Sequence, residues 1–493
     1  MGATEPVEPV GPLRRGLEIL EVVGRSGPLR PADLVAATGL ARSTVDRVLS
    51  TLTETGYLRW RGRDVVATPR TMDAGNLYLS GLDPEGALAR RVARLAAELD
   101  ESVVLAAPDR NGLRVVGRSR PGGSLAIAFK AGDLLPAARL LPAGRGFGAS
   151  GWSLDDEFVE PGLVAVAVPV RAAAGTLVVV VVSHFSRHSA ASLRERARAS
   201  VMACVADLER VAARPPRPDA TAPTAGAEKN LKARLGAEFL QSLDRGLDVL
   251  HAIGTRADGL TISETAALTG QTRATARRSL LSLAALGYAA ESGGRFALLP
   301  RVLDLGYRQV SGLTFEELAR PQLRELMLRA HDSASVVVLD GADIRYVARV
   351  QASRIMRVEI TVGTRFPAYA TAMGRVLLAG LPEGEASELI ARSGRRTLTD
   401  RTLTGAAELI REVARARDDG YAVVDQELEV GLRSIAVPIR AAGQVVAALN
   451  IAVPAAREPL DQMRDRLLPE LRATARALEA DVAAFTRHQP LPL

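Results

Sequence analysis

Pro31-Ala32-Asp33-Leu34-Val35-Ala36-Ala37-Thr38-Gly39-Leu40-Ala41-Arg42-Ser43-Thr44-Val45-Asp46-Arg47-Val48 is the stretch that decides the fold. Pro31 suits a first helical turn, where its missing N–H costs nothing. Gly39 supplies the tight turn between two helices that a helix-turn-helix needs. Val45, Val48, Leu49 and Leu52 recur at helical spacing, so the helix over Ala41–Thr55 has one inner face. Its outer face carries Arg42, Ser43, Thr44 and Arg47. Arginine pairs with guanine edges or phosphate, and hydroxyls donate to phosphate. Upstream, Leu17, Leu20 and Val23 mark a helix over Leu13–Gly24. Downstream, Gly56-Tyr57 ends the third helix, and two short strands turn at Gly62, with Arg59, Arg61 and Arg63 at hand for backbone phosphate. Three helices and such a hairpin make a winged helix; the plainer reading is a solvated arginine face.

The same pattern returns later in the chain. Arg15-Gly16-Leu17-Glu18-Ile19-Leu20 matches Arg245-Gly246-Leu247-Asp248-Val249-Leu250. Thr38-Gly39, Gly56-Tyr57, Pro69-Arg70, Asp73 and Gly75 match Thr269-Gly270, Gly287-Tyr288, Pro300-Arg301, Asp304 and Gly306. From Leu29 and Leu260 onward the offset is constant at 231, so the stretch aligns without a gap. Shared glycines and apolar positions in register read as a tandem duplication. The second copy predicts helices over Leu243–Gly254, Ser263–Thr269 (with Ser263 as N-cap) and Thr272–Leu286. Ala276, Leu280 and Leu283 face inward; Thr272, Arg273, Thr275, Arg277 and Arg278 face outward, and Arg295 lies on the wing. A run of Pro, Ala, Thr and Gly from Pro215 to Ala227 separates the halves and reads as a linker.

Length and composition fit this picture. The 493 residues are 47% hydrophobic and 24% charged, ordinary for folded domains. The net charge is +7 with pI ≈ 9.9, which makes nucleic acid the default partner. Lys130, Lys229 and Lys232 are the only lysines, so the basicity is arginine; a base-composition bias gives the same pattern. The single cysteine, Cys204, excludes an internal disulfide and cysteine-based metal sites and reads as a buried structural thiol. His184 and His188 follow a strand and lack the acidic partner of a helical metalloprotease motif, so no metal or other cofactor is expected. Met1–Pro12 has the reverse order of a signal peptide. The apolar Gly162–Val182 suits a buried strand pair better than a membrane helix, so the chain reads as cytoplasmic with no membrane partner.

After each winged helix comes a mixed segment. In the second half, a helix over Phe315–Ala330 precedes strands at Ser335–Asp340, Ile344–Gln351 and Arg357–Val362. Helices follow over Ala370–Ala379 and Gly405–Asp418, then strands at Leu432–Ile439 and Val445–Val453 and a closing helix over Leu460–Thr486. Gly363-Thr364-Arg365-Phe366-Pro367, Ala370-Thr371-Ala372-Met373-Gly374-Arg375, Gly420-Tyr421, Asp425-Gln426-Glu427 and Gly431-Leu432-Arg433-Ser434-Ile435-Ala436-Val437-Pro438 carry a resemblance. With the winged helix they resemble the IclR family of bacterial transcription regulators, from Ser242 to about Phe485. The wording Phe366-Pro367-Ala368-Tyr369-Ala370-Thr371-Ala372-Met373 is similar to the PcaR/PcaU/PobR branch, which controls the β-ketoadipate pathway and senses aromatic acids such as protocatechuate or 4-hydroxybenzoate.

The resemblance implies an α+β fold: two winged helix-turn-helix domains, each followed by a GAF-like effector domain, the first one shortened. It implies a ligand pocket of Ala372, Met373, Asp425, Ser434, Asn450 and Ala452. Elementary physics agrees where a helix N-terminus meets a carboxylate. The alternative for Ser434 and Asn450 is satisfied core polar groups. In the first half, Gly132-Asp133-Leu134-Leu135-Pro136-Ala137 and Gly162–Pro169 echo the second, but their glycines are 30 apart rather than 68. Ala138-Arg139-Leu140-Leu141-Pro142-Ala143 replaces the helical motif, and Pro142 opposes a continuous helix. The first sensor is expected to have lost its pocket and kept its sheet.

The expected division is 10–76 for the first winged helix, 77–214 for the shortened effector-like domain and 215–230 for the linker. The second winged helix takes 231–306 and the effector domain 307–487. The expected partners are double-stranded operator DNA, a small carboxylic or aromatic acid, and a second copy or an intramolecular pseudo-dimer. Asp425 and Glu427 read as pocket-rim or turn residues, and no nucleophile–base pair appears, so an enzyme is not expected. Two other readings stay open: a regulator of another carboxylic-acid pathway, or an architectural DNA-binding protein whose effector domains only dimerise.

Overall fold

The computed structural model describes residues 8–83, 86–119, 129–136, 151–156, 162–172, 175–184, 187–212, 236–352, 360–488 and 491. It comprises two compact units, Met1–Gly312 and Leu313–Leu493. The class is α+β throughout.

The first unit opens with helices α1 (Gly11–Ser26), α2 (Pro31–Thr38) and α3 (Arg42–Glu54) and the hairpin β1 (Leu58–Arg61)–β2 (Asp64–Ala67). Gly39 takes φ 66° at the end of α2, the left-handed turn that a side chain would strain. Leu17, Leu20, Leu34, Val45, Val48 and Leu52 close the core. Helix α4 (Asp73–Leu82) follows, then α5 (Ala87–Leu99) and a six-stranded sheet. Its strands are β3 (Ser102–Asp109), β4 (Gly112–Ser119), β5 (Leu134–Pro136), β6 (Ser153–Asp156), β7 (Leu163–Ala172) and β8 (Gly175–His184), in the order β5-β4-β3-β8-β7-β6. The valine-rich stretch forms the buried pair β7–β8, as expected. Helix α6 (Ala190–Ala212) packs on β7 and α5 and buries Cys204, whose thiol burial pushes up to about 11.

The second winged helix consists of α7 (Gln241–Gly254), β9 (Leu260–Thr261), α8 (Ile262–Thr269), α9 (Arg273–Leu286), β10 (Ala289–Ser292) and β11 (Arg295–Leu298), ending in the short α10 (Tyr307–Val310). The N-cap of α8 is Thr261 rather than Ser263. The Thr261 hydroxyl accepts from the Glu264 N–H at 3.2 Å while the Glu264 carboxylate accepts from the Thr261 N–H at 2.8 Å.

The two winged helices pack on each other through α1 and α7 by reciprocal contacts. The Val10 N–H donates to Ser282 Oγ at 3.0 Å, and the Leu240 N–H donates to Thr51 Oγ1 at 3.1 Å. Leu243 sits on Gly16 and Leu13 on Gly246; a Cβ at either glycine would lie 2.2 and 2.5 Å from the leucine methyls. Each contact has its counterpart at the duplicated position, so the pair has local two-fold pseudosymmetry.

The second unit begins with α11 (Phe315–Ala330), capped by Thr314, whose hydroxyl accepts from the Glu317 N–H at 3.2 Å. Strands β12 (Ala334–Asp340), β13 (Asp343–Val350), β14 (Arg365–Pro367), β15 (Ala422–Asp425), β16 (Leu432–Ala441) and β17 (Gln444–Pro454) form an antiparallel sheet in the order β14-β13-β12-β17-β16-β15. This is the order of the first sheet. Both carry a register shift at equivalent places, between Leu105/Ala106 and between Val336/Val337. Helix α12 (Ala372–Ala379), with α13 (Glu383–Arg392) and α14 (Ala406–Asp419), lies on one face; α11 and α15 (Leu460–Thr486) lie on the other.

Two expectations shift here. Of the strand expected at Arg357–Val362, residues 357–359 lie outside the described residues, and 360–362 enter a turn at Gly363. The strand itself is β14, paired with β13. Helix α12 starts at Ala372, two residues later than expected, because Thr371 is its N-cap and accepts from the Gly374 N–H at 3.0 Å. Gly374 is required, since a Cβ there would fall 2.0 Å from the Ala368 carbonyl oxygen. The first-half motif at residues 137–143 lies outside the described residues.

Candidate DNA interface and ligand site

Helices α3 and α9 present the expected outer faces. Arg42, Ser43 and Arg47 are exposed on α3 and Thr44 is half-buried; Thr272, Arg273, Arg277 and Arg278 are exposed around α9 and Thr275 is half-buried. Their inner faces are fixed by Val45 and Val48 and by Ala276 and Leu280, all fully buried. Some of these polar groups already have partners. Arg42 pairs with Asp46 at 2.9 Å one turn on. Thr272 caps α9, accepting from the Thr275 N–H at 3.2 Å, and Arg273 reaches the Ser263 hydroxyl. Arg61 and Arg63 are exposed on the first wing, beside Trp60 at 51% exposure. On the second wing Arg295 is held at 3.3 Å from Glu264 and 3.5 Å from Asp258, and donates to the Gly259 carbonyl at 3.0 Å.

In the second unit five of the expected ligand residues, Ala372, Met373, Ser434, Asn450 and Ala452, lie in or under the start of α12; Asp425 is opposite Arg433, on the other face of the sheet from Ser434. Ala372 and Met373 are buried at the start of that helix. Ser434 on β16 pairs with Ala452 on β17, and Asn450 pairs with Ala436, two residues along from Ser434 on the same face. Ser434 and Asn450 are buried and Ala452 is half-buried. Asn450 Oδ1 has no hydrogen-bond partner among the described residues. Asp425 sits at the end of β15, 2.8 Å from Arg433 and 2.7 Å from Arg401. Its partial burial works against the charge, but the Arg433 hydrogen bond and charge, with Gln426 and Arg401, outweigh it and hold the carboxyl below its ordinary value. Glu427 is not on the strand face. Gln426 has φ 63°, which turns the chain, and Glu427 makes a buried 2.5 Å ion pair with Arg375 and accepts from the Leu403 N–H at 3.2 Å. Arg375 and Glu427 thus tie α12 to the loop after β15.

Two residues outside the expected set share this face. Ser335 on β12 is the direct neighbour of Asn450, and Arg349 on β13 is the direct neighbour of Ser335. The Arg349 side chain is half-buried, its Nε lacks a hydrogen-bond partner among the described residues, and burial lowers its pKa. The arginine Nε and the amide oxygen, both short of partners, share the sheet face that carries the apolar cluster of Ile344, Tyr346 and Met373. In the first sheet the positions of Ser335, Asn450 and Ser434 are taken by Val104, Val180 and Ala165, all within an apolar cluster. Among the described residues, no group of three or more His, Cys, Asp or Glu is placed to hold a metal, and no helix is long and apolar enough to cross a membrane.

Paired winged helices on one chain, followed by a separate sheet unit with helices on both faces, define a class, the transcriptional regulators with a sensor domain. The IclR helix-turn-helix domain matches residues 12–62 and again 242–293, and the bacterial transcriptional regulator IclR C-terminal domain matches residues 308–480. The Pca regulon regulatory protein of Pseudomonas putida is 40% identical over 257 residues, 52% of this chain and 88% of that protein. The p-hydroxybenzoate hydroxylase transcriptional activator of Acinetobacter baylyi is 32% identical over 247 residues, 49% of this chain and 91% of its own. Among solved structures, a transcriptional regulator from Rhodococcus sp. RHA1 is 52% identical, with 50% of this chain and 99% of that chain covered, at a TM-score of 0.48. The chain belongs to the IclR family of bacterial transcriptional regulators. Its relatives are regulators rather than enzymes.

Proposed function

We propose that the chain binds operator DNA through both winged helices and that an aromatic carboxylic acid, held in the second sheet unit, modulates that binding. In this reading, residues 10–76 and 231–306 are the readers and 307–487 the sensor. Residues 77–214 are its reduced counterpart, joined by the linker 215–230. The DNA-facing set is Arg42, Ser43, Thr44, Arg47, Arg61, Arg63, Thr272, Arg273, Thr275, Arg277, Arg278 and Arg295. The effector set is Ala372, Met373, Ser434, Asn450 and Ala452, to which Ser335 and Arg349 are added; Asp425, paired with Arg433 and Arg401 on the opposite face of the sheet, is left out of it.

One observation carries the effector reading. Asn450 is 3% exposed and its Oδ1 lacks a partner, and on the same sheet face, across Ser335, the Nε of Arg349 also lacks one. Buried polar atoms normally find partners, so an orphaned pair on one face calls for a ligand. A carboxylate satisfies the arginine and a ring hydroxyl donates to the amide oxygen. Relatives named for the Pca regulon and for p-hydroxybenzoate hydroxylase favour an aromatic acid. The acid acts by favouring one arrangement of the chain over another.

Calorimetry of the full chain with protocatechuate, 4-hydroxybenzoate and aliphatic acids tests this. Binding of an aromatic acid that weakens at least about tenfold in Arg349→Met and in Asn450→Ala is expected, as for loss of a charge-assisted hydrogen bond. Binding of aliphatic acids alone would move the chain to another carboxylic-acid pathway. Absence of heat with every acid would sink the sensor reading.

A further inference from the structure

We propose that a single chain reads one asymmetric DNA site with both of its winged helices, gripping one half-site through the first wing and the other through the second recognition helix. This rests on the DNA-binding reading above and goes beyond it.

The pairing surface of the readers is filled from within the chain. Leu13 and Leu243 are fully buried on the opposing glycines, and the Val10–Ser282 and Leu240–Thr51 hydrogen bonds close both ends. A winged helix from another copy would have to displace this contact to pair there. The pseudo-dimer is also unequal at its centre. Glu21 accepts from the Tyr288 hydroxyl at 2.5 Å and pairs with Arg301 at 2.9 Å, whereas the duplicated position, His251, lies 3.3 Å from the Tyr57 hydroxyl.

The outward residues diverge in a complementary way. On the first wing, Arg59, Trp60, Arg61, Gly62 and Arg63 stand where the second wing has Ala290, Glu291, Ser292, Gly293 and Gly294. Trp60 is half-exposed, and Arg61 and Arg63 have no side-chain partner among the described residues. The second wing keeps only Arg295, which Glu264 and Asp258 hold. The recognition helices differ in the opposite sense. Asp46 on α3, which neutralises Arg42, is replaced by Arg277 on α9, where Arg273, Arg277 and Arg278 are all cationic. Cations on a wing reach phosphate and the minor groove, where an aromatic ring packs on sugars, and arginines on a recognition helix reach base edges in the major groove. The first reader is strong in its wing and the second in its helix.

The test uses the full chain and a duplex selected from random sequence. Mass photometry of the complex should give one chain per duplex, and hydroxyl-radical footprinting should give unequal protection of two half-sites. The Trp60→Ala/Arg61→Ala/Arg63→Ala variant, checked for an unchanged melting temperature, should weaken binding about tenfold. It should also lower the salt slope by about two, the value for two lost phosphate contacts, and keep base preference. Arg277→Ala/Arg278→Ala should instead relax base preference in one half-site only, and Ser292→Ala should change affinity less than twofold. Two chains on a symmetric footprint, or a wing variant that binds as the parent does, overturns the proposal while leaving DNA binding intact. Failure to select any duplex overturns both.

Discussion

Arg114 is the most informative single residue to replace. It is 2% exposed in the first sheet and reaches Asp109 at 2.7 Å, Asp304 at 2.6 and 3.0 Å, and the Gly132 carbonyl at 2.9 Å. Asp304 belongs to the turn after the second wing, so this guanidinium bolts the reduced sheet to the second reader. Arg114→Met keeps the aliphatic stem but leaves two carboxylates, one of them 4% exposed, without a countercharge. Removing one partner of a buried pair costs about 3–5 kcal/mol, well above the roughly 1 kcal/mol of an ordinary hydrogen bond. Burial raises the Asp304 pKa and the Arg114 charge opposes that, so removing Arg114 raises it further. A raised carboxyl stabilises the fold below its ordinary pKa of 3.8 and loses that contribution as pH rises through the folded value. The loss in Arg114→Met should therefore be smaller at pH 4 than at pH 7.5. Urea unfolding followed by tryptophan fluorescence isolates the effect, because both tryptophans, Trp60 and Trp152, lie in the first unit. Adding Asp109→Asn and Asp304→Asn should recover at least half of the loss, since the stranded charges are gone. A loss under about 1 kcal/mol, or no recovery in the triple variant, would refute the reasoning.

Two further outcomes follow from the second unit. Gly374→Ala should destabilise it by about 1–3 kcal/mol, the range for overpacking, because its Cβ would meet the Ala368 carbonyl at 2.0 Å; thermal unfolding that leaves the second unit unchanged would contradict this. Asp425, whose carboxyl is held low, contributes stability above its ordinary pKa of 3.8 that disappears as pH falls through its folded value; Asp425→Asn should flatten the acid limb of stability against pH, and an unaltered limb would count against the Arg433 pairing.

The duplication and both winged helices are legible in the sequence because glycines and apolar spacings report local conformation. Gly39 and Gly270, at φ 66° and 64°, occupy equivalent turns, and the closing helix runs from Leu460 to Thr486 as the periodicity predicts. Local signals mislead where two caps compete, as with Ser263 against Thr261, since the reciprocal bond to Glu264 decides the outcome. Arg349 escapes a period-two reading for a definite reason. The register shift between Val336 and Val337 puts Tyr346 and Arg349, an odd number of residues apart, on the same face of β13. The Glu21–Arg301 and Arg114–Asp304 pairs join residues 280 and 190 positions apart, beyond any spacing rule.

The leucine-on-glycine seam between α1 and α7 has a consequence for mass action. A reader pair assembled from two molecules comes apart on dilution, so its occupancy of DNA falls with the square of concentration when dimers are scarce. A pair covalently tethered in one chain holds its halves at a fixed effective concentration. Its occupancy then scales with the first power of copy number, which suits a regulator present in a few molecules per cell.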